Sequence, residues 1–140
     1  MAFGFRYTLE PEENGWWLVR FPDIPEALTE GKTQEEAHTN AADCLLAALE
    51  GYVKAGRPVP RPPSTSGNGH RVTLPSLATA KLAVYETMRS RGWSMTQLAQ
   101  ELDISKDAVR RLISLRQASP MAVIDKALAA MGAELAIELP

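Results

Sequence analysis

Residues 95–112, MTQLAQELDISKDAVRRL, decide how the C-terminal half of the chain folds. Two short segments within this stretch repeat apolar residues at every third or fourth position, the spacing of one helix face. A small residue, Ala99, stands where the two helices must approach each other closely. The spacing therefore predicts a helix-turn-helix. The residues expected to face inward are Leu98, Ala99, Leu102, Ile104, Val109 and Leu112.

Three polar residues suit the ends of these two helices. Ser94, with Gln97 three residues later, resembles a capping box, and Ser105 can cap the second helix. The turn between the helices needs a residue that tolerates a positive φ, and Asp103 occupies that place. Any two amphipathic helices with a solvated basic face share part of this pattern. Because the caps, the small residue and the turn agree, the helix-turn-helix is favoured.

The outward side of the second helix carries side chains suited to DNA. Residues near the start of such a helix reach base edges in the major groove, so Lys106 and Asp107 are the nearer candidates. Arg111 can read guanine or hold phosphate, whereas Arg110 is better placed for the DNA backbone. The full set of predicted DNA-binding residues is Ser94, Ser105, Lys106, Asp107, Arg110, Arg111 and Arg116.

The composition fits a globular chain. It has 140 residues, of which 45% are hydrophobic and 23% charged, enough for one domain or two small ones. No apolar run reaches membrane-spanning length and residues 1–9 lack the core of a secretory signal, so a cytoplasmic location and no membrane partner are expected. The single cysteine, Cys44, cannot form an intramolecular disulfide and is expected to be buried. No metal site and no cofactor are predicted.

The charges are divided between the two ends of the chain. Residues 1–56 hold ten acidic and four basic residues, a net charge of −6, whereas residues 81–119 hold seven basic and four acidic residues, a net charge of +3. The two ends are therefore expected to bind different partners.

The first half of the chain predicts a small sheet. Apolar residues alternate over positions 3–9, and Asn14-Gly15 suits a tight hairpin turn with positive φ angles before a returning strand at 16–21. Pro22 and Pro25 interrupt the pattern, because each lacks a backbone donor, before a short third strand at 26–30.

A helix and a fourth strand complete this unit. Thr33 and Glu36 have the spacing of a capping box, so a helix is predicted from there to about Gly56. After a proline-rich and then Gly/Ser-rich stretch, residues 70–74 predict a strand, and the hinge falls near Pro75. The predicted domains are therefore 1–75, with the order β-β-β-α-β, and 76–140.

The second domain is predicted to be mostly helical and to end in a short strand, which makes the chain an α+β protein. The predicted helices are 76–91, 96–102, 106–115 and 121–131. Residues 134–139 alternate apolar and polar side chains, but a lone strand has no partner in its own domain. Pairing of two copies through this strand is expected, with Leu135, Ile137 and Leu139 as the dimerisation residues.

The order of these parts resembles the HicB antitoxin family of bacterial type II toxin–antitoxin systems over nearly the whole chain. The stretches that carry the resemblance are FPDIP at 21–25, TEGKT at 29–33, Glu35-Glu36-Ala37, Asn40-Ala41, LPSLATAKLA at 74–83 and ALAAMGAEL at 127–135. The resemblance implies a partial ribonuclease-H-like N-terminal domain that binds and blocks HicA, a small mRNA-cleaving ribonuclease. It also implies a C-terminal domain that represses the operon by binding operator DNA.

The toxin contact is placed on the acidic end, because an RNA-cleaving toxin is expected to be basic around its substrate groove. The residues expected to bind the toxin are Phe21, Asp23, Ile24, Pro25 and Glu26, with help from Glu10, Glu12 and Glu13 in the hairpin.

The sequence also bears on two other functions. An enzyme would need clustered carboxylates, but Asp23, Glu26, Glu36 and Asp43 fall on different elements, and His38 and His70 are isolated in the sequence, so no catalytic residues are predicted. A free-standing helix-turn-helix regulator with a ligand-sensing N-terminal domain is the alternative. Trp16 and Trp17 could line its pocket, but adjacent strand residues point to opposite faces, so one is expected in the core and the other exposed.

Overall fold

The structure is a computed structural model that describes residues 4–61 and 69–136. It is a mixed α and β fold with one antiparallel sheet and five helices in the described ranges. The elements are β1 (Gly4–Pro11), β2 (Trp17–Arg20), β3 (Leu28–Gly31), α1 (Gln34–Lys54), β4 (His70–Thr73), α2 (Ser76–Arg91), α3 (Met95–Leu102), α4 (Lys106–Ile113) and α5 (Met121–Ala130). The predicted β-β-β-α-β order of the first half is confirmed.

The chain divides into two compact units. The sheet unit consists of residues 4–51, 60–61 and 69–74, and the helical unit consists of residues 52–59 and 75–136. The change of unit at Pro75 lies where the sequence predicts a hinge. The assignment of residues 52–59 to the helical unit was not predicted, because it depends on contacts with α2 that are distant in the sequence.

The sheet unit has its strands in the order β3-β2-β1-β4, all antiparallel. One face of the sheet is apolar, and Phe5, Tyr7 and Val19 on that face are buried. The apolar stripe of α1 is buried as well, at Ala37, Ala41, Leu45 and Leu49. Helix and sheet thus form one core, and the opposite face of the sheet is left open.

The hairpin between β1 and β2 is wider than the predicted tight turn. Glu12 N donates to Trp16 O at 2.8 Å and Gly15 N donates to Glu12 O at 3.0 Å, which leaves three residues in the loop. In this described loop φ is positive at Gly15 (85°) but not at Asn14. Asn14 instead accepts a hydrogen bond from Trp16 N through its side chain, at 3.0 Å. A left-handed glycine after a turn is typical of three-residue hairpin loops.

The start of α1 is fixed by its cap and by close contact with β3. Thr33 Oγ1 accepts a hydrogen bond from Glu36 N at 3.1 Å, which confirms the predicted cap. Gly31, the last residue of β3, lies against the first turn of the helix. A Cβ added at Gly31 would lie 2.4 Å from Ala37 N, closer than non-bonded atoms can approach.

We therefore predict that Gly31→Ala destabilises the protein by about 1–3 kcal/mol, the usual cost of overpacking. Gly51→Ala is the matched control, since Gly51 lies within α1 and a Cβ there meets nothing within 4 Å. It should stabilise the protein by about 0.5–1 kcal/mol through helix propensity. Urea unfolding of both variants measures the difference, and equal effects of the two substitutions would contradict the close contact.

The helical unit is organised around α2, which contacts both α4 and α5, while α3 contacts the same two helices. The start and end of α2 agree with the prediction, whereas α4 ends at Ile113, two residues before the predicted end. Residues 134–136, part of the predicted final strand, belong to no helix or strand, and residues 137–139 lie outside the described ranges. None of the described helices is long and apolar enough to cross a membrane.

Candidate nucleic-acid and protein interfaces

The α3–α4 pair is held together by one apolar side from each helix. Leu98 and Val109 are fully buried, and Ala99 and Leu112 are nearly so. Leu102 and Ile104, also predicted to face inward, are half-buried. This placement leaves the charged side of α4 facing outward.

Local hydrogen bonds fix the ends of both helices as predicted. Ser94 Oγ accepts from Gln97 N at 3.0 Å, and Ser105 Oγ accepts from Ala108 N at 3.0 Å. Asp103 ends α3 in the left-handed region, with φ 53° and ψ 48°, and is the one described non-glycine residue with positive φ. Both capping hydroxyls keep their own hydrogen, so Ser94 and Ser105 can still donate a hydrogen bond to an external acceptor.

Asp103 carries a conformational cost that glycine would not, because a left-handed backbone brings Cβ close to the carbonyl oxygen. We predict that Asp103→Gly stabilises the protein by about 0.5–1 kcal/mol and that Asp103→Ala destabilises it by a similar amount. Thermal unfolding followed by circular dichroism measures both changes. A lower melting temperature for the glycine variant would contradict the role assigned to this turn.

The outward side of α4 is charged along its length. Lys106, Asp107, Arg110 and Arg111 are all exposed, as is Arg116 beyond the helix. Asp107 and Arg110, one helical turn apart, form an ion pair. The pair offsets the negative charge of Asp107, which would otherwise repel a phosphate backbone.

The seven basic residues between positions 81 and 119 have two distinct roles. Three of them, all on α2, donate to main-chain oxygens: Lys81 to the end of α4, Arg89 to Gly56 O and Arg91 to Met131 O. The four exposed cations on or after α4 are Lys106, Arg110, Arg111 and Arg116. The net charge of +3 thus included Lys81, which is fully buried and contributes no surface charge.

In the sheet unit, residues 21–27 form two successive turns, which we call the 21–27 loop. Ile24 N donates to Phe21 O at 3.2 Å, and Ala27 N donates to Ile24 O at 2.9 Å. Each turn has a proline at its second position, where the fixed φ of proline is favoured. Every third residue is buried, namely Phe21, Ile24 and Ala27.

This spacing corrects the predicted contact set. Phe21 and Ile24 are 1% and 0% exposed, so a partner protein cannot reach their side chains in this conformation. The sequence pattern alone did not distinguish the buried residues of this loop from the exposed ones. Pro25 and Glu26 are exposed, and Asp23 is half-buried with its carboxylate 3.4 Å from Arg6 Nε.

The negative charge of the sheet unit is not spread over its whole surface. By the strand register, Arg6, Arg20 and Arg71 share the open face of the sheet. Acidic residues gather at the hairpin corner of that face, where Glu10 lies 3.7 Å from Arg20 Nε. There a hydrogen bond with the Glu30 carboxyl, followed by burial and like-charge repulsion, raises the pKa of Glu12.

The two histidines, isolated in the sequence, are neighbours in the structure. His38 and His70 have ring centroids 4.6 Å apart, and Tyr7 stacks on His70 at 5.3 Å. The Tyr7 hydroxyl also bonds His38 Nδ1, and burial raises the pKa of this tyrosine. The strand pairing of β4 with β1 brings them together, a long-range contact that the sequence did not reveal.

Three further residues differ from expectation in their burial. Trp16 and Trp17 are both half-buried rather than one buried and one exposed, and Lys32 Nζ lies 5.6 Å from the Trp16 ring centroid. Cys44 is half-buried, and this burial raises the pKa of its thiol. In the described ranges, no group of three or more histidine, cysteine or carboxylate side chains could hold a metal ion.

The predicted dimerisation residues are only partly described. Leu135 is half-buried, while Ile137 and Leu139 lie outside the described residues. Their role stays a prediction.

Comparison with known proteins identifies the family. A family model described as HicB_like antitoxin of bacterial toxin-antitoxin system matches residues 4–83, which is more than half of the chain. The chain is 38% identical to Antitoxin HicB 2 of Photorhabdus laumondii over 137 residues, covering 96% of each protein. It is 31% identical to Antitoxin HicB of Escherichia coli over 130 residues, covering 93% of this chain and 94% of that protein. The chain therefore belongs to the HicB-like antitoxin family of bacterial toxin–antitoxin systems.

A solved structure is also similar to part of the chain. The N-terminal domain of Burkholderia pseudomallei antitoxin HicB matches 52% of this chain and 96% of its own, at 18% identity and a TM-score of 0.42.

Proposed function

We propose that this protein binds and blocks a small HicA-type mRNA-cleaving ribonuclease and represses its own operon. In this proposal the sheet unit is a partial ribonuclease-H-like domain that binds the toxin, and the α3–α4 pair is a helix-turn-helix that binds operator DNA. The protein itself has no catalytic role, and both of its partners are cytoplasmic. The observation that carries the DNA-binding half is that Lys106, Arg110 and Arg111 on α4 and Arg116 just after it all lie exposed, next to two helices that are capped at their starts.

On DNA, α4 enters the major groove by its N-terminal end. Lys106 and Asp107 are assigned to base edges, because the start of a recognition helix lies closest to them. Arg111, one turn later on the same outward side, is assigned to guanine. The hydroxyls of Ser94 and Ser105, together with Arg110 and Arg116, are assigned to phosphates, where contacts position the protein. Release of counterions by these cations makes binding steeply dependent on salt.

Two copies of the chain are proposed to bind one operator. A dimer formed through Leu135, Ile137 and Leu139 would present two α4 helices to one face of DNA, about 34 Å apart, and read an inverted repeat. Such a dimer would pair the predicted strand at 134–139 with the same strand of a second copy.

Toxin binding is assigned to the presented residues of the 21–27 loop. Asp23, Pro25 and Glu26 form its accessible part, and Phe21 and Ile24 hold it from beneath. The two hydrogen-bonded turns of this loop hold the backbone of Asp23 and Glu26, from which the two carboxylates extend. Carboxylates held in this way can occupy the basic groove that a ribonuclease offers to RNA phosphates.

The DNA-binding half predicts the effect of Arg111→Ala. Operator affinity should fall by about 1–3 kcal/mol, the usual worth of one base contact, while toxin neutralisation is unchanged. Lys126→Ala is the matched control, since Lys126 is exposed on α5, outside the α3–α4 pair. Gel-shift titration measures DNA affinity, and an RNA-cleavage assay with added antitoxin measures neutralisation. Loss of both activities in the Arg111 variant would argue against separate functions.

The toxin-binding half predicts the effect of Glu26→Lys. Reversing this charge should weaken toxin binding by about tenfold or more, because like charges then face each other across the interface. Asp125→Lys on α5 makes the same change in net charge outside the sheet unit and should leave toxin affinity unaltered. Isothermal titration against the purified toxin distinguishes the two variants, and equal weakening would indicate a net-charge effect instead of a local contact.

The proposal as a whole is tested by co-expression with the product of the adjacent gene. The two proteins should purify together, and cleavage of mRNA by the partner should stop when this chain is added in equal amount. A partner that cleaves RNA at an undiminished rate in the presence of the full-length chain would refute the antitoxin mechanism.

A further inference from the structure

Lys81 is a charged side chain in the centre of the helical unit. It lies on α2 and is 0% exposed, one of the largest fully buried side chains among the described residues. Its Nζ donates to Arg111 O at 2.8 Å, to Leu112 O at 3.1 Å and to Ser119 Oγ at 2.8 Å. Two of these acceptors are at the end of α4, and the third lies just before the start of α5.

The geometry matches the chemistry of an ammonium group. Lysine has three N–H donors and no acceptor, and each donor has an oxygen within hydrogen-bond distance. The last carbonyls of a helix lack partners within the helix and carry partial negative charge, so a cation there is favourable. The same buried position would be costly without such partners. The charge of Lys81 therefore stabilises this conformation only while α4 ends at these carbonyls.

Contacts elsewhere in the unit also stabilise its fold. The contact of Lys81 differs from them because it is made with α4, the helix proposed to bind DNA. One of its acceptors is the main-chain oxygen of Arg111, a residue whose side chain is exposed. A shift of that carbonyl moves the Arg111 backbone and therefore the Cα atom to which the side chain is attached. Base readout requires placement within hydrogen-bond distance, so small displacements of α4 matter for specificity.

We propose that Lys81 is a positioning residue for DNA recognition: by binding the end of α4 and Ser119, it fixes the orientation in which Arg111 meets the bases. This inference rests on the proposed function, because it assigns Lys81 to the same DNA-binding surface. Lys81 does not touch DNA itself, since its ammonium group is enclosed by the protein.

The test substitutes Lys81→Met in the full chain, which keeps an unbranched side chain one atom shorter and removes the ammonium group. Binding to operator DNA should weaken by about tenfold, whereas binding to a random duplex of equal length should not change. The slope of log affinity against log salt should stay at the wild-type value, because no phosphate contact is lost. Arg116→Gln is the contrasting variant, with a slope lower by about 0.9.

All titrations are made well below the melting temperature of each variant, so that the protein is folded. A purely structural role would lower the melting temperature of the Lys81 variant and leave operator affinity at the wild-type value, and this outcome would overturn the proposal. A reduced salt slope would overturn it too, since that result assigns Lys81 to phosphate. Lys126→Met, an exposed lysine replaced in the same way, should match the wild type throughout.

Two further measurements keep the inference testable if Lys81→Met does not fold or the wild type binds no operator. Ser119→Ala removes one acceptor of the three, and it should weaken operator binding in the same manner by a smaller factor; unchanged affinity contradicts the proposal. In the Ser119→Ala variant without DNA, amide hydrogen exchange should be faster than in the wild type at Ser114, whose N–H closes the last turn of α4. The exchange rate at Leu98 in α3 should be unchanged. Absence of operator binding by the wild type would refute the proposed function and, with it, the role of Lys81 in DNA recognition. Equal exchange rates at Ser114 in variant and wild type, with operator binding intact, would refute the positioning role alone.

Discussion

The buried ammonium group of Lys81 is the interaction on which the arrangement of the helical unit depends. A charge without water is tolerated only if it is fully hydrogen-bonded, and here the partners come from α4 and from Ser119. Most of the buried side chains in this unit are hydrophobic, such as Leu98 and Val109, but apolar contacts tolerate different orientations of the packed helices. The lysine adds the directional constraint.

Other side chains of α2 also donate hydrogen bonds to main-chain oxygens outside this helix. Arg89 binds the main-chain oxygen of Gly56, Arg91 binds that of Met131, and Tyr85 donates to Arg57 O at 2.6 Å. α2 therefore holds the ends of other segments by side chains that reach main-chain oxygens. The cations on α2 thus bind main-chain oxygens, whereas those on α4 are exposed.

The features that could be predicted from the sequence are those decided by neighbouring residues. The caps at Ser94 and Ser105 and the turn at Asp103 each depend on residues within three positions, so their chemistry is visible in the sequence. The β-β-β-α-β order of elements was predicted from longer patterns of the same kind, and the HicB-like family was recognised from several stretches along the chain. Burial of Lys81 and of Phe21 was not predicted, because it results from contacts between distant segments that no local spacing records. For the same reason the proximity of the two histidines became visible only when β4 was paired with β1.

Membership of residues 52–59 in the helical unit has a consequence for how such a protein can be dissected or recombined. The oxygens of Gly56 and Arg57 that α2 binds come from a stretch preceding the last strand of the sheet unit. A single cut at Pro75 would separate α2 from these acceptors, so truncation there yields a fragment lacking part of its own interior. A chimera of two relatives with one crossover at that point would combine α2 of one relative with residues 52–59 of the other. Each unit is thus encoded by separate stretches of the gene, so no single position divides one unit from the other.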